Sequence, residues 1–210
     1  MKYRSLYITA LALILSVFAI SLSAQDSSPL DRLNKNITSS CVELSYTYSV
    51  RKSGVNMTGN GDLTAQGLFW KLVGNGMELF CDSESVWVVD PSLKEVVIEP
   101  ARNSVEDGHS VNPAILLMHM KEMFVVHEMR PLKDGLVLYI LKPVGKSDMD
   151  YLNVELNKSD ASISSATMAF ADGNLINIKV SSMKLTPLRS AEEFRPQTVY
   201  DSTWIVTDLR

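Results

Sequence analysis

The stretch Gly61–Pro100, GDLTAQGLFWKLVGNGMELFCDSESVWVVDPSLKEVVIEP, decides the fold class. It consists of short runs in which apolar residues alternate with polar ones or cluster over a few positions, a pattern typical of β-strands. Three turn sequences separate the runs, namely GNG at 74–76, DS at 82–83 and DPS at 90–92. Each turn supplies a left-handed or proline-fixed position. The stretch therefore predicts consecutive antiparallel strands in a curved sheet.

The same pattern continues on both sides of this stretch. Residues 41–50 alternate apolar and polar side chains, as expected of a half-buried strand. The pairs Asp134-Gly135 and Asp172-Gly173 are typical of hairpin turns. So many antiparallel strands in one domain indicate a barrel or a strongly curved sheet. Besides 41–50, the strands expected outside the quoted stretch are 57–66, 124–130, 136–142, 150–156, 162–171 and 174–183.

The amino terminus has the pattern of an export signal. Lys2 and Arg4 precede the apolar run Leu6–Leu22, which ends in small residues around Ala24. We expect residues 1–24 to be a signal peptide and residues 25–210 to form a single domain. A membrane anchor is the alternative, but the run falls short of the roughly 20 apolar residues that cross a bilayer. Because no cysteine directly follows the run, the mature protein is expected to be soluble and not itself lipidated.

The charge excludes some classes of partner. The whole chain carries a net charge of −4, from 20 basic and 24 acidic residues. Loss of Lys2 and Arg4 with the signal peptide would leave 18 basic and 24 acidic residues, a net charge of −6. An acidic protein without a basic cluster is not suited to bind nucleic acid or anionic lipid headgroups.

Cys41 and Cys81 are the only two cysteines of the chain. In a simple meander they would lie at the same end of the sheet but three strands apart, roughly 14 Å at about 4.8 Å per strand. A disulfide needs α-carbons within about 7 Å. A bridge between them therefore requires a sharply curled sheet or a displaced strand, and the alternative is two small buried hydrophobic residues.

Two short helices interrupt the strands. The first begins at Ser28-Pro29, an N-cap followed by proline, and places Leu30, Leu33 and Ile37 on one side. The second begins at Asn112-Pro113 and continues as AILLMHMKEMF, which is apolar around much of its circumference. A helix of this kind must be covered, so we expect it to cap the open face of the sheet. An ordinary core helix over a filled barrel is the alternative.

The excess of apolar positions over the needs of one filled core predicts an apolar cavity. Methionines are frequent in and after the second helix, and their unbranched, polarizable side chains suit a wall that adapts to varied apolar shapes. The residues expected to line the cavity or its lid are Tyr46, Trp70, Leu72, Trp87, Ile115, Leu116, Met120 and Met123.

No catalytic pattern accompanies this cavity. His119 and Glu122 have a helical i, i+3 spacing that suits a metal, but no third ligand has a recognisable spacing. The Gly-x-Ser-x-Gly elbow of serine hydrolases does not occur. Residues 106–109, EDGH, are typical of a solvated polar loop. We therefore expect neither an enzyme nor a metal or cofactor site.

The order of these motifs resembles the LolA family of periplasmic outer-membrane lipoprotein carriers. The resemblance extends over nearly all of the chain after the leader, and it lies in the order of the motifs more than in any one of them. The motifs, in order, are the leader, the first helix, Gly61-Asp62-Leu63, the hairpin leading to Trp87 and Asp90-Pro91, the helix Asn112-Pro113-x-x-Leu116-Leu117, the Asp172-Gly173 turn, Phe194 and Asp208-Leu209-Arg210.

The resemblance implies an incomplete, half-open β-barrel whose apolar cavity, capped by short helices, shields the acyl chains of a lipoprotein between membranes. It implies a monomeric periplasmic carrier that meets an inner-membrane releasing complex and an outer-membrane receptor. Two other functions fit the same cavity pattern: a carrier or sensor of another amphiphile, such as a glycolipid or a lipid intermediate, and a non-carrying interaction module.

One departure from the family concerns the closure of the cavity. In well-studied carriers the strand that opens with Gly-Asp-Leu leads to an arginine before a proline, and this arginine ties the barrel to its lid. Here the corresponding residues are Thr64-Ala65-Gln66-Gly67. The resemblance implies that Gln66 is the residue in contact with the lid, through hydrogen bonds and without a charge.

Overall fold

The computed structural model describes residues 27–52, 54–101 and 112–210. The predicted signal peptide, residues 1–24, and the polar loop at 106–109 lie outside these residues. None of the helices within the described ranges is long and apolar enough to cross a membrane.

The described residues form a mainly β structure, as the strand pattern predicts. Within the described ranges three short α-helices accompany the strands: α1 (Pro29–Ser39), α2 (Pro113–Met118) and α3 (Met120–Met123), with a 3₁₀ helix at Ala191–Phe194. The strands are β1 (Cys41–Lys52), β2 (Val55–Gln66), β3 (Phe69–Gly74), β4 (Met77–Asp82), β5 (Ser85–Asp90), β6 (Glu95–Pro100), β7 (Phe124–Pro131), β8 (Leu136–Pro143), β9 (Met149–Asn157), β10 (Ile163–Phe170), β11 (Leu175–Thr186) and β12 (Ile205–Asp208).

All twelve of these strands belong to one open sheet, in the order β12-β6-β5-β4-β3-β2-β1-β11-β10-β9-β8-β7. Two antiparallel meanders, β1–β6 and β7–β11, are joined where β1 pairs with β11. A register shift in this central pair leaves Ser181 unpaired, and its hydroxyl donates a hydrogen bond of 2.9 Å to the Ser45 carbonyl. Such bulges bend a sheet. The predicted curved, open antiparallel sheet is confirmed.

The carboxyl-terminal segment was not anticipated as part of the sheet. After β11 the chain forms the 3₁₀ helix, whose Phe194 is fully buried and packs against Phe69 with tilted rings whose centroids lie 5.8 Å apart. It then adds β12 parallel to β6, at the far edge of the sheet. β12 is short and exposed along its whole length, so it has no alternation from which a strand could be recognised.

Each face of the sheet has its own core. The larger core lies on the inner face and includes Leu33 and Ile37, which the sequence places on one side of α1. A smaller core lies on the outer face and consists of Phe80, Val89, Val96 and Ile98. Tyr200 and Trp204 pack against this outer core and bring the carboxyl-terminal segment to it.

Cys41 and Cys81 are buried free thiols, so the disulfide considered from the sequence is not present. A row of direct cross-strand pairs runs from Val42 to Cys81. Val42 pairs with Ala65, Ala65 with Trp70, and Trp70 with Cys81. Directly paired residues share a face, and neighbouring residues of a strand point to opposite faces. Cys41 and Cys81 therefore lie three strands apart and on opposite faces of the sheet, where no bond can join them.

Candidate functional site

The segment formed by α2 and α3, residues 113–123, lies over the inner face and is called the cap segment below. Asn112 caps α2 by accepting a hydrogen bond of 2.9 Å from the Ala114 N–H, and Pro113 follows at the first helical position. The predicted single helix is broken at His119, whose carbonyl accepts hydrogen bonds from Glu122 and Met123. The break reorients the chain, so that Met120 of α3 stays buried while the next strand begins at Phe124.

An apolar cavity of about 60 Å³ lies between the cap segment and the sheet. Among the described residues no charged side chain lines it, and its wall combines residues from both meanders with residues from both cap helices. The wall is formed by Leu44, Tyr46, Leu63, Pro113, Leu116, Leu117, Met120, Leu152, Val154, Ile163, Ala166, Met168, Ile178 and Val180.

Among the described wall residues, Tyr46 is the one whose side chain contains an oxygen or nitrogen atom. Its ring lies flat against β2, because position 61 is glycine. A β-carbon at Gly61 would lie 2.7 Å from the Tyr46 Oη, which is closer than van der Waals contact allows. Burial, followed by the nearby Tyr48 and Asp62, raises the pKa of the Tyr46 hydroxyl, so this group stays neutral beside the cavity.

The structure brings only part of the predicted set to the cavity wall. Tyr46, Leu116 and Met120 line it. Trp70, Leu72 and Met123 belong to the surrounding inner core but are not part of the wall. Ile115 is half-buried and belongs neither to the wall nor to the core formed by the described residues.

Trp87 was assigned to the wrong face. It pairs directly with Phe80 across β4 and β5, and Phe80 is a buried member of the outer core. The side chain of Trp87 therefore packs on the outer face, with the sheet between it and the cavity. The sequence 86–89, VWVV, is apolar at every position, so its pattern does not distinguish the two faces.

Gln66 does not contact the cap segment. It follows Ala65, which faces the inner core, so its own side chain points to the outer face. Its Nε2 donates to the Arg189 carbonyl at 3.1 Å, and its Oε1 accepts from the Arg189 N–H at 2.7 Å. The guanidinium of Arg189 also pairs with Glu43. The amide of Gln66 thus fastens the carboxyl-terminal segment to the sheet.

The cavity residues missed by the sequence analysis come mainly from β9, β10 and β11. Their two-residue periodicity was visible, as at Leu152 and Val154 or at Ile178 and Val180. This signal identifies a buried face of a strand, but not which strands share a cavity. Only the pairing of β1 with β11 places these residues opposite the cap segment.

His119 and Glu122 interact with each other at the break in the cap segment. The His119 Nδ1 lies 2.7 Å from a Glu122 carboxylate oxygen. Among the described residues, no group of three or more histidine, cysteine, aspartate or glutamate side chains is arranged to hold a metal ion.

Sequence comparison relates the chain to a known family. The family model described as "Outer membrane lipoprotein carrier protein LolA" matches residues 57–197, a range that includes the cap segment and most of the sheet. The chain belongs to the LolA family. LolA proteins are periplasmic, and the family is one of lipid- and lipoprotein-binding carriers rather than enzymes. No curated protein matches this LolA-family sequence.

The chain is similar to solved structures of low sequence identity, of which the first named here shares the fold. An uncharacterized conserved protein from Thermus thermophilus is 14% identical with a TM-score of 0.54, and the match covers 86% of this chain and 96% of that one. A LolA superfamily protein from Nitrosomonas europaea is 11% identical with a TM-score of 0.44, with coverage of 80% and 96%. A putative outer membrane lipoprotein-sorting protein domain from Vibrio parahaemolyticus is 11% identical with a TM-score of 0.43, with coverage of 79% and 93%.

Proposed function

We propose that this LolA-family protein is a periplasmic carrier that holds the acyl chains of a lipoprotein between the cap segment and the inner face of the sheet, and ferries them toward the outer membrane. The observation that supports this most directly is the cavity wall, which has no charged residue among those that the structure describes and combines both meanders with both cap helices. A site of this composition suits hydrocarbon, since the hydroxyl on its wall, that of Tyr46, has a raised pKa and stays neutral.

The size of the cavity indicates that the cap segment must move for cargo to enter. A cavity of about 150 Å³ holds one benzene molecule, and pockets for drug-sized ligands span about 300–1,000 Å³. The cavity measures about 60 Å³, too little for an acyl chain. The arrangement described here therefore corresponds to the closed form of the proposed carrier, in which the cap segment occupies the space that cargo would fill.

Closure of the cap segment also provides a means of release. Burial of one acyl chain of about sixteen carbons gains on the order of 10 kcal/mol at about 0.8 kcal/mol per methylene, before the costs of binding. Opening the cap segment exposes Leu116, Leu117 and Met120, which are buried in the closed state. This cost offsets part of the gain, so net affinity is low enough for cargo to pass to a receptor.

The remaining assignments follow from the proposed role. The protein would be exported by residues 1–24 and act as a single domain, residues 25–210, without a covalent step on the protein itself. It would receive cargo from an inner-membrane releasing complex and deliver it to an outer-membrane receptor.

Lipid extraction tests this proposal directly. The protein is purified from the periplasm of its native host, and co-purifying lipids are identified by mass spectrometry. Leu116→Trp, which enlarges an apolar side chain on the cavity wall, is expected to reduce the recovered lipid strongly. Ile115→Trp is the matched control, since Ile115 is the neighbouring residue and lies off the wall, and it is expected to retain the lipid.

Each outcome of the extraction distinguishes one function. A triacylated peptide in the wild type that is lost in Leu116→Trp supports the lipoprotein carrier. A free glycolipid or lipid intermediate would instead identify a carrier or sensor of another amphiphile, which the apolar wall accommodates equally well because it contacts chains and not headgroups. Absence of any lipid would favour a non-carrying interaction module.

A further inference from the structure

Two buried tyrosines of the inner core, Tyr46 and Tyr139, have hydroxyls without a hydrogen-bond partner among the described residues. Their side chains are only 8% and 2% exposed. Buried polar groups in native proteins are nearly always hydrogen-bonded, because an unpaired group gives up its bonds to water and gains nothing in return. Phenylalanine would fill the same space without this cost. Packing alone therefore does not explain why these two positions carry a hydroxyl.

Strand pairing places the two tyrosines on opposite sides of the cavity wall. Tyr46 of β1 pairs directly with Val180 of β11, which lines the cavity. Tyr139 of β8 pairs directly with Val154 of β9, which also lines it. Directly paired residues share a face of the sheet. The part of the wall formed by β9, β10 and β11 is thus bordered by one tyrosine on each side.

The surroundings of these hydroxyls favour a neutral acceptor. Burial raises the pKa of the Tyr46 hydroxyl, so it remains a donor. No basic side chain occurs among the described wall residues, and a carboxylate or phosphate placed there would lose water without gaining a counter-charge. A plain hydrocarbon has no acceptor and would leave the hydroxyls unpaired. The carbonyl oxygen of an ester or an amide accepts hydrogen bonds and carries no net charge.

We propose that Tyr46 and Tyr139 donate hydrogen bonds to the carbonyl oxygens that link acyl chains to the cargo, and that they select ester- or amide-linked chains over plain hydrocarbon and free fatty acid. This selection rests on the proposed function, because the cap segment must open before a chain can lie along the wall. Tyr46 already borders the cavity, and Tyr139 is the next residue across the sheet from Val154. Two donors on opposite sides suit a cargo that has more than one acyl linkage.

Competition against a fluorescent acyl-chain probe, calibrated for each variant, tests the selection. The competing ligands are methyl palmitate, hexadecane, and palmitate at neutral pH, and the wild type is expected to bind methyl palmitate most tightly. Tyr46→Phe and Tyr139→Phe keep the ring and remove the donor. Each is expected to weaken the binding of methyl palmitate by about two- to tenfold, and to leave the affinity for hexadecane unchanged or higher.

The infrared carbonyl band of bound methyl palmitate, isotope-labelled at the ester carbonyl, reports the hydrogen bond itself. The band is expected at a lower frequency in the wild type than in either phenylalanine variant. Tyr48→Phe is the matched control, because Tyr48 lies on the same face of β1 as Tyr46 and its hydroxyl already accepts a hydrogen bond from Asn75. This control should keep both the wild-type selectivity and the wild-type band. Far-UV circular dichroism confirms that each variant is folded.

The outcomes separate this selection from the carrier function. A wild type that binds hexadecane as tightly as methyl palmitate would overturn the selection and leave the carrier function standing. So would phenylalanine variants that lose affinity for both ligands equally, or that leave the carbonyl band unchanged. A wild type that binds none of the ligands would contradict the proposed function and the selection together.

Discussion

Asp82 connects a local turn to the tertiary structure. Its Oδ1 accepts hydrogen bonds from the backbone N–H groups of Glu84 at 3.0 Å and Ser85 at 2.9 Å, which closes the turn between β4 and β5. Its Oδ2 accepts from the Arg195 Nε at 2.7 Å. Arg195 follows the 3₁₀ helix, so one buried carboxylate holds both the turn and the carboxyl-terminal segment in place.

These interactions make the stability of the fold depend on pH. Burial alone would raise the pKa of the Asp82 carboxyl, but the hydrogen bonds from Ser85, Arg195 and Glu84 outweigh it and lower the pKa below 3.8. A pKa that is lower in the folded protein than in the unfolded chain means that folding stabilises the charged carboxylate. Its stabilising contribution is therefore fully present above about pH 4 and is lost as the pH falls through the lowered pKa.

We predict that Asp82→Asn, which keeps the turn acceptor but removes the charge, lowers the free energy of unfolding at pH 6 by about 1–3 kcal/mol. The difference from the wild type should shrink as the pH falls from 4 toward 2. Asp90→Asn is the matched control, because Asp90 closes the next turn with Ser92 and Leu93 but is only half-buried and has no arginine partner among the described residues. Urea denaturation at a series of pH values measures both. A pH-independent difference for Asp82→Asn would contradict the prediction.

At the scale of elements, the cap segment is the part of the fold where a substitution can change cargo binding and leave the sheet folded. Its helices are short, and α2 approaches the sheet mainly at β2. The sheet itself is held by its own strand pairs and by α1. An open cap segment would leave these contacts in place.

We therefore predict that Leu116→Glu and Met120→Glu abolish uptake of a fluorescent acyl-chain probe while the sheet stays folded. The introduced carboxylate is hydrated when the cap segment is open, and it loses water only in the closed or loaded state, where the desolvation cost opposes binding. Ile115→Glu, off the cavity wall, should keep both properties. Probe titration and melting temperature decide the outcome. Joint loss of probe affinity and several kcal/mol of stability would identify the helix as an ordinary part of a filled core.

At the scale of the whole molecule, the sheet separates two cores with different roles. The inner core surrounds the cavity, whereas the outer core anchors the carboxyl-terminal segment through Tyr200 and Trp204, whose rings meet at 5.0 Å. Because the sheet lies between them, a change in the outer core should reach the cavity only by unfolding the domain.

The prediction at this scale concerns Trp87. Trp87→Ala should lower the free energy of unfolding by about 2–4 kcal/mol, as expected for a half-buried tryptophan in a core, without changing acyl-probe affinity. Urea denaturation and probe titration are the measurements. Reduced probe affinity at an unchanged free energy of unfolding would instead show that Trp87 contributes to the cavity. Leu72→Ala, on the inner face at a similar burial, provides the comparison.

The amino-acid sequence by itself determined the elements of this protein. Alternation of apolar residues, Asp-Gly turns and the Ser28-Pro29 and Asn112-Pro113 caps predicted nearly all the strands and both helical regions, because these signals act between residues close in the chain. The motif order also indicated the LolA family, which the comparison confirms.

Only the tertiary structure decided which residues meet. Trp87, Gln66 and Cys41 each lie on a face or beside a partner that their local pattern does not specify. The cavity depends on the long-range pairing of β1 with β11, and the outer core depends on the return of residues 187–210. Local sequence sets the geometry of a strand. Which face of the strand is buried depends on the apolar area that it buries against elements distant in the chain, and no short-range pattern encodes those contacts.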